Sequence, residues 1–478
     1  MSYYAIVTVL KDVRKHPNAD RLQLATVFGN TVCVSMEYTE GQLGVYFPTG
    51  GQLSTKFAEA NNLLRKKDSE GNNVGGYMDP DKRNVTAIKL RGEKSDGLFL
   101  PLSCLETFGD ISKLNIGDRI DVFNGEEICT KYIPRTQSRR GTPGLGNRTR
   151  KTKVPVAPLF AEHADTEQLA YNLGAFKVGD ELEFTLKMHG TSQRTGHLKV
   201  LTGYKRTLLD RIFRRPGVPI YDWGYVSGTR RVVLDTFAGG FYGSNEFREQ
   251  HHNTFVGKLW KGETAYYEVV GFTHTGAPIM GNGNNEKLGK DFVKQYGKET
   301  VFSYGCAPEA ETKKLRYGTD DTGHFAIEEV VHNDKRSDIY VYRMTMTTED
   351  GDVIEYTPDF MRYRCEQMGI KCVPVFGKGT LSADRLHFVN SEGQDHDYLI
   401  GDGTLGDLVV KCAEEFYAGP DPIGKTHTRE GVVVRIVNRP KFAAVKHKNF
   451  EFKVLEGIIS EKLAASSADI AEDVLAEM

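Results

Sequence analysis

The feature that most constrains this chain is a succession of short β-prone runs over its first 130 positions. "YYAIVTVLKDV", "LQLATVFG", "TVCVSME" and "LGVYFPT" come first, and "VTAIKLRG" and "DGLFLPLS" follow, each closed off by Gly, Pro, Asn or Asp. They predict several short strands, the raw material of a small barrel. Between them, residues 62–84 ("NLLRKKDSEGNNVGGYMDPDKRN") read as a polar loop. Residues 131–153 hold Lys131, Arg135, Arg139, Arg140, Arg148, Arg150, Lys151 and Lys153 with no Asp or Glu, and are interrupted by Pro and Gly. That stretch reads as a linker, either a solvated connector or a strap that neutralises phosphates.

From Val154 onward strand patterns mix with helical ones. The stretch "EFTLKMHGTS" alternates Leu182, Phe184 and Leu186 with Glu183, Thr185 and Lys187, then stops at Gly190. Lys187 therefore points away from the apolar face, just before a His-Gly turn. Downstream, "YYEVVGF" sets Glu268 inside an apolar strand, where a carboxylate is costly unless something pairs with it. "REGVVVRI" puts Glu430 at the mouth of a β-branched strand, and "KFAAVKHKNFEFK" places Lys446 and Lys448 two apart on one side of another, with Phe442 and Ala444. The final "ISEKLAASSADIAEDVLAEM" fits an amphipathic helix with an acidic face.

Composition narrows the class. With 478 residues the chain is long enough for two or three domains. Hydrophobic residues are 39% and charged residues 26%, the balance of a soluble globular protein. No run of about 18 apolar residues marks a membrane span, and the first residues lack a signal-peptide layout. The seven cysteines are dispersed with no CxxC pair, which points to reduced thiols in a cytosol-like compartment and against a zinc site. The net charge of −2 means that any nucleic-acid contact must come from local basic patches.

The ordered set Lys187, Glu268, Glu430, Lys446 and Lys448 resembles the covalent nucleotidyltransferases, the superfamily of ligases and capping enzymes. Within it, "KMHGTS" is similar to the lysine motif of RNA ligases that seal 3′-OH and 5′-phosphate ends, which carry histidine where DNA ligases usually carry aspartate. The β-rich segment in front of the motifs, with "LRGEKSDGLFLPLS" at its end, resembles an N-terminal OB module found in some of these ligases. Only 30 residues follow Lys448, too few for the OB-fold that trails the catalytic domain of typical DNA ligases.

The resemblance implies an α+β chain: an OB-like β-barrel over 1–130 that binds RNA, a basic linker over 131–153, and a mixed α/β nucleotidyltransferase domain over 154–478. It implies that Lys187 becomes adenylylated by ATP, with His189 beside it as one of the residues that bind the nucleotide. Arg206, in "GYKRT" nineteen residues on, matches the arginine that contacts the AMP ribose and end phosphate. Glu268 matches the third-motif carboxylate, Tyr340 or Tyr342 the aromatic that stacks on adenine, and Glu430 the carboxylate that binds Mg²⁺ or Mn²⁺. Lys446 and Lys448 match the phosphate-contacting pair. Ser192 is a departure, since ligases that seal duplex nicks tend to have asparagine there. The implied partner is RNA, as nicked duplex or broken ends, met by a monomer in the cytoplasm, or in a host's cytoplasm if the chain is viral. The alternatives are a DNA ligase, another lysyl-AMP nucleotidyltransferase, and a non-catalytic RNA-binding OB protein, the last opposed by the intact motif residues.

These residue types suit the chemistry. A lysine amine attacking the α-phosphorus of ATP must be neutral, and neighbouring cations or a metal favour that form. The same cations offset charge on the phosphate oxygens. A hard divalent cation suits a carboxylate such as Glu430. Three further stretches are weaker. "KRTLLDRIFRRP", with Lys205, Arg206, Arg211, Arg214 and Arg215, reads as an RNA-tracking stretch or a solvated charged face. "GNGNNEKLGKD", with Gly281 and Gly283, reads as a surface turn, and His251-His252 lack partners at metal-ligand spacing. In the first segment Lys89, Arg91 and Lys94 with Phe99 offer a basic surface with a stacking aromatic, or simply part of a structural barrel.

Overall fold

The computed structural model describes residues 3–66, 75–132 and 154–452, apart from 165, 214, 235, 238–244, 278, 280–303, 307–334, 420, 425–428 and 451. Most of the 131–153 linker, the 281–283 turn, Arg214 and the acidic tail lie outside the described residues. The described residues fall into two compact units, 3–132 and 154–452.

The N-terminal unit is made of short strands. Ala5–Val9 pairs with Arg119–Ile120 and Leu43–Phe47, and Leu43–Phe47 pairs with Leu98–Pro101, giving a four-stranded antiparallel sheet. Lys11–Lys15, Leu22–Val27 and Asn30–Ser35 form a separate three-stranded sheet, and three two-stranded pairs complete the unit. Val7, Val45, Phe47, Phe57, Leu100 and Leu105 are among the side chains of one apolar core. The strand-rich expectation is met, but among the described residues no sheet closes into a barrel. Strands of two or three residues and the irregular pairing of Lys11–Lys15 break the hydrogen-bond ladders that closure requires. Phe99 also differs from the expectation: it is 1% exposed and packs edge-on against Tyr38, so it belongs to the core and offers bases no ring face. Arg91 and Lys94 are exposed.

The second unit holds two larger sheets. The seven-stranded one runs in the order Glu167–Gln168, Ala443–Lys448, Gly431–Ile436, Glu181–Leu186, Val375–Leu381, Arg385–Asn390, Asp395–Leu399. The six-stranded one runs Val233–Leu234, Val218–Gly228, Thr191–Lys205, Glu263–Gly271, Ser337–Thr347, Val353–Glu355. Side chains from both meet in one apolar cluster, with Leu182, Phe184 and Val432 from the first and Val270 and Tyr340 from the second. The Leu405–Phe416 helix contributes Leu408, Val409 and Cys412 to that cluster, after a reciprocal cap between Thr404 and Asp407. The helix Pro358–Met368 starts with proline and ends at Gly369 in the left-handed conformation. All seven cysteines are free thiols.

The Glu181–Leu186 strand is central in its sheet, and Leu182 to Leu186 are all buried. Its alternation therefore separates two covered faces rather than a wet and a dry one. Glu183, on the polar side, is buried and pairs with Arg362 at 2.7 Å.

Candidate active site

The chain leaves the seven-stranded sheet at Leu186 and enters the six-stranded sheet at Thr191. The four residues between them, Lys187 to Gly190, are the crossover. The backbone N–H of Lys187 donates to the carbonyl of Gly431 at 2.9 Å, extending the pairing with the Gly431–Ile436 strand by one residue. Gly190 presses against the Glu263–Gly271 strand: a Cβ there would lie 2.3 Å from the carbonyl oxygen of Val269 and 2.9 Å from Cγ of Glu268. Gly431 sits at φ +150°, where a Cβ would fall 2.0 Å from the carbonyl oxygen of His447. Both glycines let backbones close around the crossover at distances no other residue permits.

Glu430 immediately precedes the Gly431–Ile436 strand. Its Oε1 lies 2.6 Å from Nζ of Lys187 and 2.9 Å from Nζ of Lys448, and its Oε2 lies 3.6 Å from Nδ1 of His189. The carboxylate is 3% exposed. Burial works to raise its pKa, but Lys187, Lys448 and His189 together hold it well below the usual carboxylate range. Lys446, on the same strand as Lys448, donates to the carbonyl of Thr166 at 2.8 Å. Burial, with the positive charges of Lys187, Lys448 and Arg230, lowers its pKa to about 8.

Glu268 lies in the middle of its sheet, directly opposite Ser192 on one side and Tyr340 on the other. Burial pushes its pKa up to about 7, with Lys187 opposing the rise and Glu430 adding to it. Two carboxylates with pKa values driven apart beside one lysine are a division between a permanently charged group and one that can hold a proton near neutrality.

Tyr340 and Tyr342 occupy different surroundings. The strand carrying them slips register between Tyr266 and Tyr267, which sets Tyr342 in a bulge. The Tyr342 hydroxyl lies 2.9 Å from Oγ of Ser192, and its ring lies 5.0 Å from the ring of His163. Glu268 and Arg230 both act on that hydroxyl. Tyr340 is 4% exposed within the apolar cluster shared by the two sheets, and Tyr342, less deeply buried, packs against the same cluster.

The structure brings together Lys187, His189, Glu268, Tyr342, Glu430, Lys446 and Lys448, and leaves Arg206 apart. Thr191–Lys205 is a fifteen-residue strand, and Arg206 follows its far end. At about 3.3 Å per residue that is roughly 45 Å from Ser192. Arg206 is exposed there and donates to the carbonyl of Pro216. The arginine that reaches the site is Arg230. The Val218–Gly228 strand runs back along its partner until Gly228 lies opposite Arg194, which returns Arg230 to the level of the crossover. Its charge acts on Glu268, Tyr342 and Lys446 alike. Counting nineteen residues from Lys187 assumes a short hairpin, and this one is long. The signal for Arg230 is the turn "SGTRR" at the end of the returning strand.

Arg248 supports the site from behind. It is 4% exposed and donates to Oγ1 of Thr191 at 2.7 Å and to the carbonyl of Ser192 at 3.3 Å. His251 and His252 bond Ser337 and Thr195, as structural side chains do. At the remote hairpin tip, Lys205, Arg206, Arg211 and Arg215 are exposed, together with Leu208, Leu209, Ile212 and Phe213.

Two sheets joined at a lysine-bearing crossover, with paired lysines and a buried carboxylate on the neighbouring strands, define an RNA ligase-like fold. The chain is similar over nearly its whole length to solved structures of the Naegleria gruberi RNA ligase. A mutant of that protein with ATP and Mn matches with a TM-score of 0.51 and 15% identity, covering 96% of this chain and 99% of that one. Another mutant without ligand matches with a TM-score of 0.51 and 15% identity, covering 95% and 98%. At this identity the likeness is one of fold. No family model matches the chain, and no curated protein matches it in sequence.

Proposed function

We propose that the chain is an ATP-dependent RNA ligase that joins 3′-OH and 5′-phosphate RNA ends in RNA repair, through a lysyl-AMP on Lys187 and an RNA-adenylate. The observation that supports this most is the Lys187–Glu430–Lys448 contact at the crossover of an RNA ligase-like fold. Lys187 gives up a proton to water, its nitrogen forms a bond to the α-phosphorus of ATP, and the bond to pyrophosphate breaks. A 5′-phosphate oxygen of RNA then displaces the lysine, whose nitrogen is reprotonated, and the 3′-hydroxyl, losing its proton to water, displaces AMP. Lys446, Lys448 and Arg230 offset the charge on the phosphates as it shifts. Tyr342, whose hydroxyl lies 2.9 Å from Oγ of Ser192, is the aromatic for the adenine. Glu268, with a pKa raised to about 7, is suited to hydrogen-bond the nucleotide.

A divalent cation fits this site as a companion of the nucleotide. Glu430, ionised and buried beside Glu268, offers the oxygen donors that Mg²⁺ or Mn²⁺ prefers. Among the described residues no group of three or more His, Cys, Asp or Glu side chains converges on a metal position, so phosphate oxygens and water would supply the remaining ligands. Such an ion would neutralise phosphate charge.

The N-terminal unit serves as an OB-like RNA-binding module, with exposed Lys11, Arg14, Lys15, Arg91 and Lys94 as its cations. The enzyme acts as a monomer in the cytoplasm. Among the described residues no helix is long and apolar enough to cross a membrane. The test is incubation with labelled ATP, followed by nicked RNA and nicked DNA duplexes side by side. Joining of the RNA is expected. Joining of DNA alone would make the chain a DNA ligase.

A further inference from the structure

Three of the four crossover residues are held by the backbone or by a side chain from elsewhere. Lys187 is tied to Gly431, and Gly190 is pressed on Val269. The third tie is a side chain: the backbone N–H of His189 donates to the hydroxyl of Tyr304 at 2.7 Å. Tyr304 comes from a distant part of the chain and is 2% exposed. Its backbone stands at φ +50°, a left-handed conformation that is uncommon for a bulky residue and persists only where surrounding structure enforces it.

The enforcement is visible. Asp421 accepts from the backbone N–H groups of Ile423 and Gly424 at 2.9 and 2.7 Å, which forms a tight turn. Gly424 on that turn lies against the backbone of Gly305, where a Cβ would meet the Gly305 nitrogen at 2.4 Å. On the other side, a Cβ on Gly271 would fall 2.7 Å from Cβ of Cys306. Gly271 ends the strand that carries Glu268. Residues 304–306 are thus wedged between two glycines, one of them on the Glu268 strand. Burial and the charges of Glu430, Asp421 and Glu268 keep the Tyr304 phenol protonated.

We propose that Tyr304 is a positioning residue for the nucleophile: its hydroxyl fixes the His189 backbone, so that Lys187 leaves the sheet in the one direction that meets the α-phosphate. The inference rests on the reading of Lys187 as the adenylylated lysine. A misaimed nucleophile loses rate without losing nucleotide affinity, because positioning acts on the attack and not on the grip.

The test uses the full-length Tyr304→Phe protein, which keeps the ring and removes the acceptor. Single-turnover label uptake from ATP should slow by about 10- to 100-fold at saturating ATP, with the half-saturating ATP concentration within about twofold of wild type. Gly424→Ala, which displaces the Gly305 backbone and leaves the phenol intact, should slow uptake in the same way and serves if Tyr304→Phe folds poorly. Wild-type uptake in both variants, or a rise in half-saturating ATP matching the loss of rate, would overturn the proposal. If wild-type protein takes no label at all, the lysyl-AMP reading fails. The geometric part of the inference, that Tyr304 sets the position of Lys187, is then judged on the ¹³C-methyl resonance of Lys187 after reductive methylation: a shift in Tyr304→Phe supports it, and an unchanged resonance overturns it.

Discussion

Nζ of Lys187 lies 2.6 Å from Oε1 of Glu430, and the two residues stand at the ends of adjacent antiparallel strands, where Leu186 is opposite Val432. The same carboxylate oxygen also holds Lys448. One buried charge therefore keeps two cations at the mouth of the crossover. Removing it takes away the carboxylate that both ammonium groups share.

Glu430→Gln keeps the size and loses the charge. Label uptake and strand joining should both fall by about 100-fold or more, with folding intact by circular dichroism. Near-normal sealing would show that Glu430 serves only the fold.

The two arginines separate cleanly. Arg230→Ala should slow adenylylation by about 10- to 100-fold, because it withdraws a cation from Glu268, Tyr342 and Lys446. Arg206→Ala, at the remote hairpin tip, should stay within about twofold of wild type in the same assay. The opposite ranking would return the nucleotide-contacting role to Arg206.

Much of this site was legible in the sequence, for a physical reason. Lys187, Glu430, Lys446 and Lys448 stand at or near the ends of strands whose period-two alternation is local, so their direction could be read from their neighbours. Arg230 was not legible, because its return to the site depends on the register of a long hairpin with an irregularity between Leu201 and Gly203. Tyr304 was not legible either: its place depends on the approach of Gly424 to Gly305 and of Gly271 to Cys306, remote in sequence and without periodicity. The bulge that separates the surroundings of Tyr340 and Tyr342 left no mark in the sequence either. In the N-terminal unit the strands were readable but their closure was not, since pairing between segments leaves no local pattern, and Phe99 lay in the core rather than on a binding face.

Glu268 makes stability depend on pH. Its folded pKa is raised to about 7 from an ordinary 4.5, so the native state binds more protons than the unfolded state between those values. Stability should therefore fall as pH rises from about 4.5 to 7, by an amount on the order of 3 kcal/mol. Thermal melts of Glu268→Gln across this range should be flatter than those of wild type. Parallel curves would mean that Glu268 titrates normally.

All the site residues lie in the second unit, so a fragment covering 154–478 should retain self-adenylylation while strand joining weakens, more so at high salt. Equal loss of both activities in a folded fragment would mean that the first unit shapes the active site itself.

The most direct measurement is the fate of label from α-labelled ATP. In wild-type protein it should remain on the chain through denaturing electrophoresis, and peptide mapping should locate it on Lys187. In Lys187→Ala it should vanish while the protein stays folded. Label retained by Lys187→Ala, or mapped to another residue in wild type, would contradict the account.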